Sequence, residues 1–181
     1  MPRFVVLLRG VNVGKGNRVP MVQFRALLEA LEFEDVRTLL NSGNAVFSSP
    51  ARSSPRLARA IRSALQEELG LDIRVVVKSA KEFQTVVDEN QLAPLADDPS
   101  RLLVAFAEES ATLEALSVLS PLLHASERLT IGKHASYLLC TGGILESKAA
   151  GALLGKVGKD ATTRNWATVL KLHRLLAEKK T

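Results

Sequence analysis

Five apolar residues in a row, Phe4-Val5-Val6-Leu7-Leu8, stand near the start of the chain. A strand with no polar residue has no face to give to water, so it belongs in the middle of a sheet, covered on both sides. The run ends at Arg9, and a polar, basic loop punctuated by Gly10, Gly14 and Gly16 follows it. Pro20 then suits the first position of a helix, where its missing N–H would be unpaired anyway. Phe24, Leu27, Leu28 and Leu31 give that helix one apolar face. Val36 to Leu40 and Ala45 to Phe47 are two further strands, joined through the turn Asn41-Ser42-Gly43-Asn44. Ser53 caps a second helix with Pro55 just inside it, and Leu57, Ile61, Leu65 and Leu69 line its buried side. Gly70 ends that helix in the left-handed region, and Ile73 to Val77 make a fourth strand. The order β-α-β-β-α-β over residues 1–78 is the split βαβ, or ferredoxin-like, unit.

The pattern then begins again. Ser79 and Glu82 form a capping box ahead of a short helix. Residues 90–100, with Pro94 and Pro99, read as a loop between halves. Leu102 to Ala107 is an apolar strand, and Ser110 to Leu119 a helix stopped by Pro121. A hairpin turns at Gly132-Lys133-His134, with Leu129 and Ile131 on one arm and Tyr137 and Leu139 on the other. Ser147 caps a weak helix that ends at Gly155, and a last helix is predicted from Thr163 to about Lys179, with Lys171, Arg174, Lys179 and Lys180 on its outer side. The sequence therefore predicts an α+β chain of two ferredoxin-like halves, 1–78 and 79–181, the second carrying capping helices and a C-terminal helix.

Composition narrows the function classes. Hydrophobic residues make up 46% and charged residues 24% of 181, the balance of a globular protein with a real core. No apolar run is long enough for a membrane span or a secretion signal. A single cysteine makes no internal disulfide, and these features together predict a cytoplasmic protein. Three histidines stand at no metal-binding spacing and Cys140 has no partner cysteine, so neither a metal nor another cofactor is expected. The net charge of +5 favours phosphate-bearing partners.

Two stretches could gather polar chemistry. In Gly10-Val11-Asn12-Val13-Gly14-Lys15 three residues lie between the glycines and Gly16 follows the lysine, where a phosphate loop needs four residues between its glycines and then Ser or Thr for magnesium. A nucleotide-hydrolysing P-loop is excluded. What survives is an anion site of backbone N–H groups with Lys15 and Arg18 ahead of a helix; the other reading is a loop that only punctuates the chain. In the second stretch, 155–166, Thr162 or Thr163 would cap the last helix and Arg164 would lie in its first turn, where the helix dipole disfavours a cation. Either an ion pair, to Asp160 or a carboxylate of the first half, or a bound anion would offset that. The arginines at 56, 59 and 62 read as a solvated helix face. Cys140 and His134 make a poor nucleophile pair, with no third member in view. An RNA-recognition sheet would need exposed aromatics, and its two central strands offer only Phe47.

Leu8-Arg9-Gly10-Val11-Asn12-Val13-Gly14, Val19-Pro20-Met21, Asp35-Val36-Arg37-Thr38, Ser42-Gly43-Asn44-Ala45-Val46-Phe47 and Thr163-Arg164-Asn165-Trp166 resemble, in that order, the bacterial domain of unknown function 1697 family. The resemblance implies a cytoplasmic protein of two ferredoxin-like halves and carries no activity with it. Its polar motif positions are Arg9, Asn12, Asn44, Arg164 and Asn165. The expectation drawn from these residues is a basic cleft for a small anionic or phosphate-bearing ligand, lined by Arg9, Asn12, Lys15, Arg18 and Asn44 and by Thr163, Arg164 and Asn165. The alternatives are a nucleic-acid-binding module, an enzyme of unknown reaction, and an interaction domain whose motif residues are structural. The oligomeric state is left open.

Overall fold

The computed structural model describes residues 1–178; Lys179 and Lys180 lie outside the described residues. The chain forms two compact units. One is Met1–Phe83 together with the described end of the last helix from Leu172, and the other is Gln84–Lys171.

The first unit contains β1 (Arg3–Leu8), α1 (Met21–Ala30), β2 (Glu34–Leu39), β3 (Asn44–Ser48), α2 (Ser54–Leu69) and β4 (Val75–Ser79). Its sheet has the order β2-β3-β1-β4 with every neighbour antiparallel. The all-apolar run is thus central, as its composition requires. Phe4, Val6 and Leu8 share a core with Phe24 and Leu28 of α1 and Ile61 and Leu65 of α2, so both helices cover one face. Val5 and Leu7 point to the other face and are equally buried. Phe47 stacks on Phe33 at 4.4 Å and on Phe4 at 5.6 Å inside the helix-covered core. Several boundaries differ from the sequence reading: β2 runs Glu34–Leu39 rather than Val36–Leu40, and β3 takes in Asn44 and Ser48. Pro20 lies one residue before α1, extended at φ −59° and ψ 134°, with its carbonyl accepting the Phe24 N–H. β4 starts at Val75 rather than Ile73, although the Arg74 carbonyl still accepts the Arg9 N–H.

The division between units falls within α3 (Ala80–Asp88). The second unit continues with β5 (Leu102–Phe106), α4 (Ser110–Ala115), β6 (Arg128–Ile131), β7 (Ala135–Leu139), α5 (Lys148–Leu154), β8 (Thr162–Asn165) and α6 (Trp166–Ala177). Its sheet order is β6-β7-β5-β8, the same permutation as in the first unit. Leu113 of α4 and Ala149, Ala150 and Leu153 of α5 pack on Leu103, Ala105 and Leu138, again on one face. The predicted long helix over 110–119 is α-helical only to Ala115. A 3-10 stretch, Leu116–Leu122, carries Pro121 within it.

The largest correction is at the end. The expected helix from Thr163 begins instead at Trp166, and Thr162-Thr163-Arg164-Asn165 is the fourth strand, paired with β5. Two β-branched threonines suit an extended backbone. Asn165, not a threonine, serves the helix start: its Oδ1 accepts the Thr168 N–H at 2.9 Å. Both halves are therefore complete βαββαβ folds. At the other end of α6, the Arg3 guanidinium donates to the carbonyls of Leu175, Leu176 and Glu178 and pairs with Asp35 at 3.2 Å. Among the described residues no helix is long and apolar enough to cross a membrane.

The capping box forms as read. The Ser79 N–H donates to Glu82 Oε2 at 2.7 Å and the Glu82 N–H donates to Ser79 Oγ at 3.1 Å. Burial opposes ionisation of Glu82, but the Ser79 N–H, Lys78 and the Ser54 hydroxyl outweigh it and hold the carboxyl below its usual 4.5. A depressed carboxyl stabilises the fold above its unfolded value and loses that contribution as pH falls. Thermal unfolding of Glu82→Gln against pH is expected to show a deficit relative to wild type that is constant near neutrality and shrinks as pH drops below 4.5. Ser79→Ala should cost roughly 1 kcal/mol at neutral pH.

Candidate functional site

The loop after β1 is folded by its own polar groups. Asn12 takes φ 58°, a left-handed conformation that asparagine tolerates better than most residues. From there its amide pairs with both backbone groups of Val19: Oδ1 accepts the Val19 N–H at 2.9 Å and Nδ2 donates to the Val19 carbonyl at 2.8 Å. The same Nδ2 donates to the Asn41 carbonyl at 2.7 Å, tying the loop to the β2–β3 turn. The Asn12 N–H donates to the Asn17 carbonyl at 2.7 Å, and the Gly16 N–H to the Val13 carbonyl at 2.9 Å. A Cβ at Gly16 would meet the Gly10 and Val13 carbonyl oxygens at 2.9 Å, so the tight closure needs glycine there. Val11 and Val19 anchor the loop in the core.

The facing turn is fixed just as closely. Asn44 is fully buried, and its Nδ2 donates to the Leu39 carbonyl and to Ser42 Oγ, both at 2.9 Å. Gly43 sits against the end of β1: its carbonyl accepts the Leu8 N–H at 2.8 Å, and a Cβ there would meet Leu8 Cβ and Val11 Cγ2 at 2.7 Å. Asn12 and Asn44 thus both staple the 39–44 turn. Lys15 and Arg18 stand exposed on the outer loop, where Arg18 Nη2 donates to the Gly14 carbonyl at 2.7 Å. Arg9, half-buried, follows directly after β1.

Thr163, Arg164 and Asn165 belong to β8 in the second unit. Arg164 is not in a helix first turn. It faces Val104 across the sheet and lies with Thr162 on the face opposite α4 and α5. Its Nη1 donates to Thr162 Oγ1 at 2.8 Å and to the Thr163 carbonyl at 2.9 Å. Burial pulls the guanidinium down to about 10, which leaves it charged at neutral pH. Asn165 spends its Oδ1 on the helix start. A residue the sequence reading passed over is Lys78, 5% exposed on β4, where it shares a sheet face with Val5. A lysine ending the apolar run Val75-Val76-Val77 was the available signal.

Other candidates settle into the core. Cys140 is fully buried, and that burial pushes its thiol up, against a nucleophilic role. Phe4 and Phe47 are consumed by the core stack, so β1 and β3 present no aromatic platform for bases. Among the described residues no three His, Cys, Asp or Glu side chains gather to hold a metal ion.

Two substitutions test the site's construction. Asn12→Asp keeps the shape but turns both Nδ2 bonds into oxygen–oxygen contacts. It should cost about 2–3 kcal/mol, lowering the melting temperature by roughly 5–10 °C. Arg164→Ala should cost about 2–4 kcal/mol, through the cavity it leaves on the buried sheet face.

A solved structure of a conserved bacterial protein from Streptococcus pneumoniae superposes with a TM-score of 0.80, over 97% of this chain and 98% of that one, at 24% identity. That likeness is one of fold. No curated protein sequence matches the chain. The sequence model of the family described as "Protein of unknown function (DUF1697)" matches residues 1–137, which include the Leu8–Gly14 and Ser42–Phe47 motifs and end before Thr163. The chain belongs to the DUF1697 family.

Proposed function

We propose that the protein binds a small anionic, phosphate-bearing ligand at the loop between β1 and α1. Lys15 and Arg18 would meet its charge, with the N–H groups of Val13, Gly14 and Lys15 and the start of α1 adding partial positive charge. The observation that carries this reading is the internal construction of the loop. Asn12, Gly16 and Arg18 fold it by their own bonds, at the cost of a left-handed Asn12, so its basic side chains stand on a platform already ordered before a ligand arrives. Prior ordering of this kind removes much of the entropy that binding would otherwise cost. Among the described residues the Val13, Gly14 and Lys15 N–H groups have no acceptor. In this reading Asn12 and Asn44 hold the loop and its facing turn, and Thr163, Arg164 and Asn165 serve the second unit. No general base or nucleophile stands out beside the loop, so binding is proposed rather than a reaction.

The test is thermal unfolding against inorganic phosphate, pyrophosphate, nucleotides, sugar phosphates, dicarboxylates and short RNA. A ligand at one hundred times its dissociation constant adds about 2.7 kcal/mol, or roughly 5–10 °C for a chain of this size. The expected result is such a shift with one class of phosphate compound, abolished in Lys15→Ala/Arg18→Ala. No shift with any compound would end the proposal, and a shift that survives the double substitution would move the site elsewhere. Stabilisation by RNA alone, falling steeply with salt, would favour a nucleic-acid-binding module instead.

A further inference from the structure

α2 carries its charges against its own dipole. Arg56 and Arg59 stand in its first half and Glu67 and Glu68 in its last turn, while the first turn holds no acid and the last no base. A helix is weakened by each of these placements. Arg62 is held by Asp72, at 2.7 and 3.1 Å. Arg56, Glu67 and Glu68 make no ion pair among the described residues.

The exposed side of the helix gives these charges a use. Arg56, Ala60, Ser63 and Glu67 follow one another at spacings of four, three and four, and all four are exposed. That spacing makes a single seam along a helix. It lies away from Leu57, Ala58, Ile61 and Leu65, which face the core. The seam reads the same in both directions with the sign of charge exchanged. Laid antiparallel on a copy of itself, it sets Arg56 opposite Glu67 twice and Ala60 opposite Ser63 twice, with small side chains in the middle where two helix axes come closest. Beside its C-terminal half an open groove of about 520 Å³ runs between α1 and α2, with Ala26, Leu27, Ala30, Leu31, Ala64 and Leu69 in its lining.

We propose that this face is a homodimer interface: α2 of a second copy lies antiparallel on α2 about a two-fold axis and covers the groove. Charge complementarity selects a second copy as the occupant, because the same four residues supply both halves of each pair, as an isologous contact requires. The antiparallel arrangement also sets each helix's positive end beside the other's negative end. This inference uses none of the loop residues and stands or falls separately from ligand binding.

The test is sedimentation velocity of the full chain over a range of concentrations, with circular dichroism to verify helix content. Wild type should sediment at twice the chain mass at high concentration. Arg56→Glu and Glu67→Arg should each sediment as monomers with helix content retained, since both changes relieve the conflict with the helix dipole. Mixing the two variants should restore the dimer, because every opposed pair is then Glu with Arg. Wild type that is monomeric throughout, a dimer that both substitutions leave intact, or a mixture that stays monomeric would each overturn the proposal.

Discussion

A strand with no polar side chain fixes what surrounds it. β1 must lie between two hydrogen-bonding neighbours and under cover: β3 and β4 flank it, α1 and α2 cover its Phe4-Val6-Leu8 face, and Val5 and Leu7 are buried on the other. The chain that leaves such a strand emerges at the rim of the sheet, where its backbone groups need partners the core cannot supply. Here the N–H groups of Asn12, Gly16 and Val19 find them within the loop. One asparagine amide does most of that work, matching the donor and acceptor of Val19 as a neighbouring strand would and reaching the Asn41 carbonyl as well. The basic loop, the hairpin turn and the end of β1 are consequently one polar assembly, and any ligand held there meets a surface whose shape is set by the fold.

The two halves solve the same topological problem with different means. The first fills its core with phenylalanines and leucines, and Phe47 lies in a stack of three rings. The second has shorter helices, a 3-10 stretch and many alanines. Both place a cation on the fourth strand, on the sheet face away from the helix pair that covers the core cluster (α1 and α2, α4 and α5): Lys78 in one and Arg164 in the other. Arg164 satisfies part of its guanidinium from Thr162 and Thr163 on its own strand.

Features set by local chemistry were legible in the sequence. The Ser53 cap, the left-handed Gly70, the Ser79–Glu82 box and the hairpin at 132–134 all depend on residues a few positions apart, and all formed as read. β8 was not legible. Thr162-Thr163-Arg164-Asn165 is short and polar, and its threonines and asparagine suit a helix start as well as a strand; pairing with β5, some sixty residues earlier, decides between them. The burial of Arg164 was hidden for a related reason, since arginine is exposed by default and only its neighbours on the finished sheet say otherwise. Asn12 and Asn44 could be picked out as polar residues in apolar surroundings. That they act as staples depends on Asn41, Leu39 and Ser42, which only the folded hairpin brings near.

The central claim, that the basic loop is an ordered platform built around Asn12, is tested most directly by native-state amide hydrogen exchange at single-residue resolution. The N–H groups of Asn12, Gly16 and Val19 should be protected although the loop is largely exposed, because each donates to a loop acceptor, while those of Val13, Gly14 and Lys15 should exchange quickly. Exchange of Asn12 and Val19 at the rate of an unstructured peptide would contradict it, and would mean a mobile loop with nothing ordered to present to an anion.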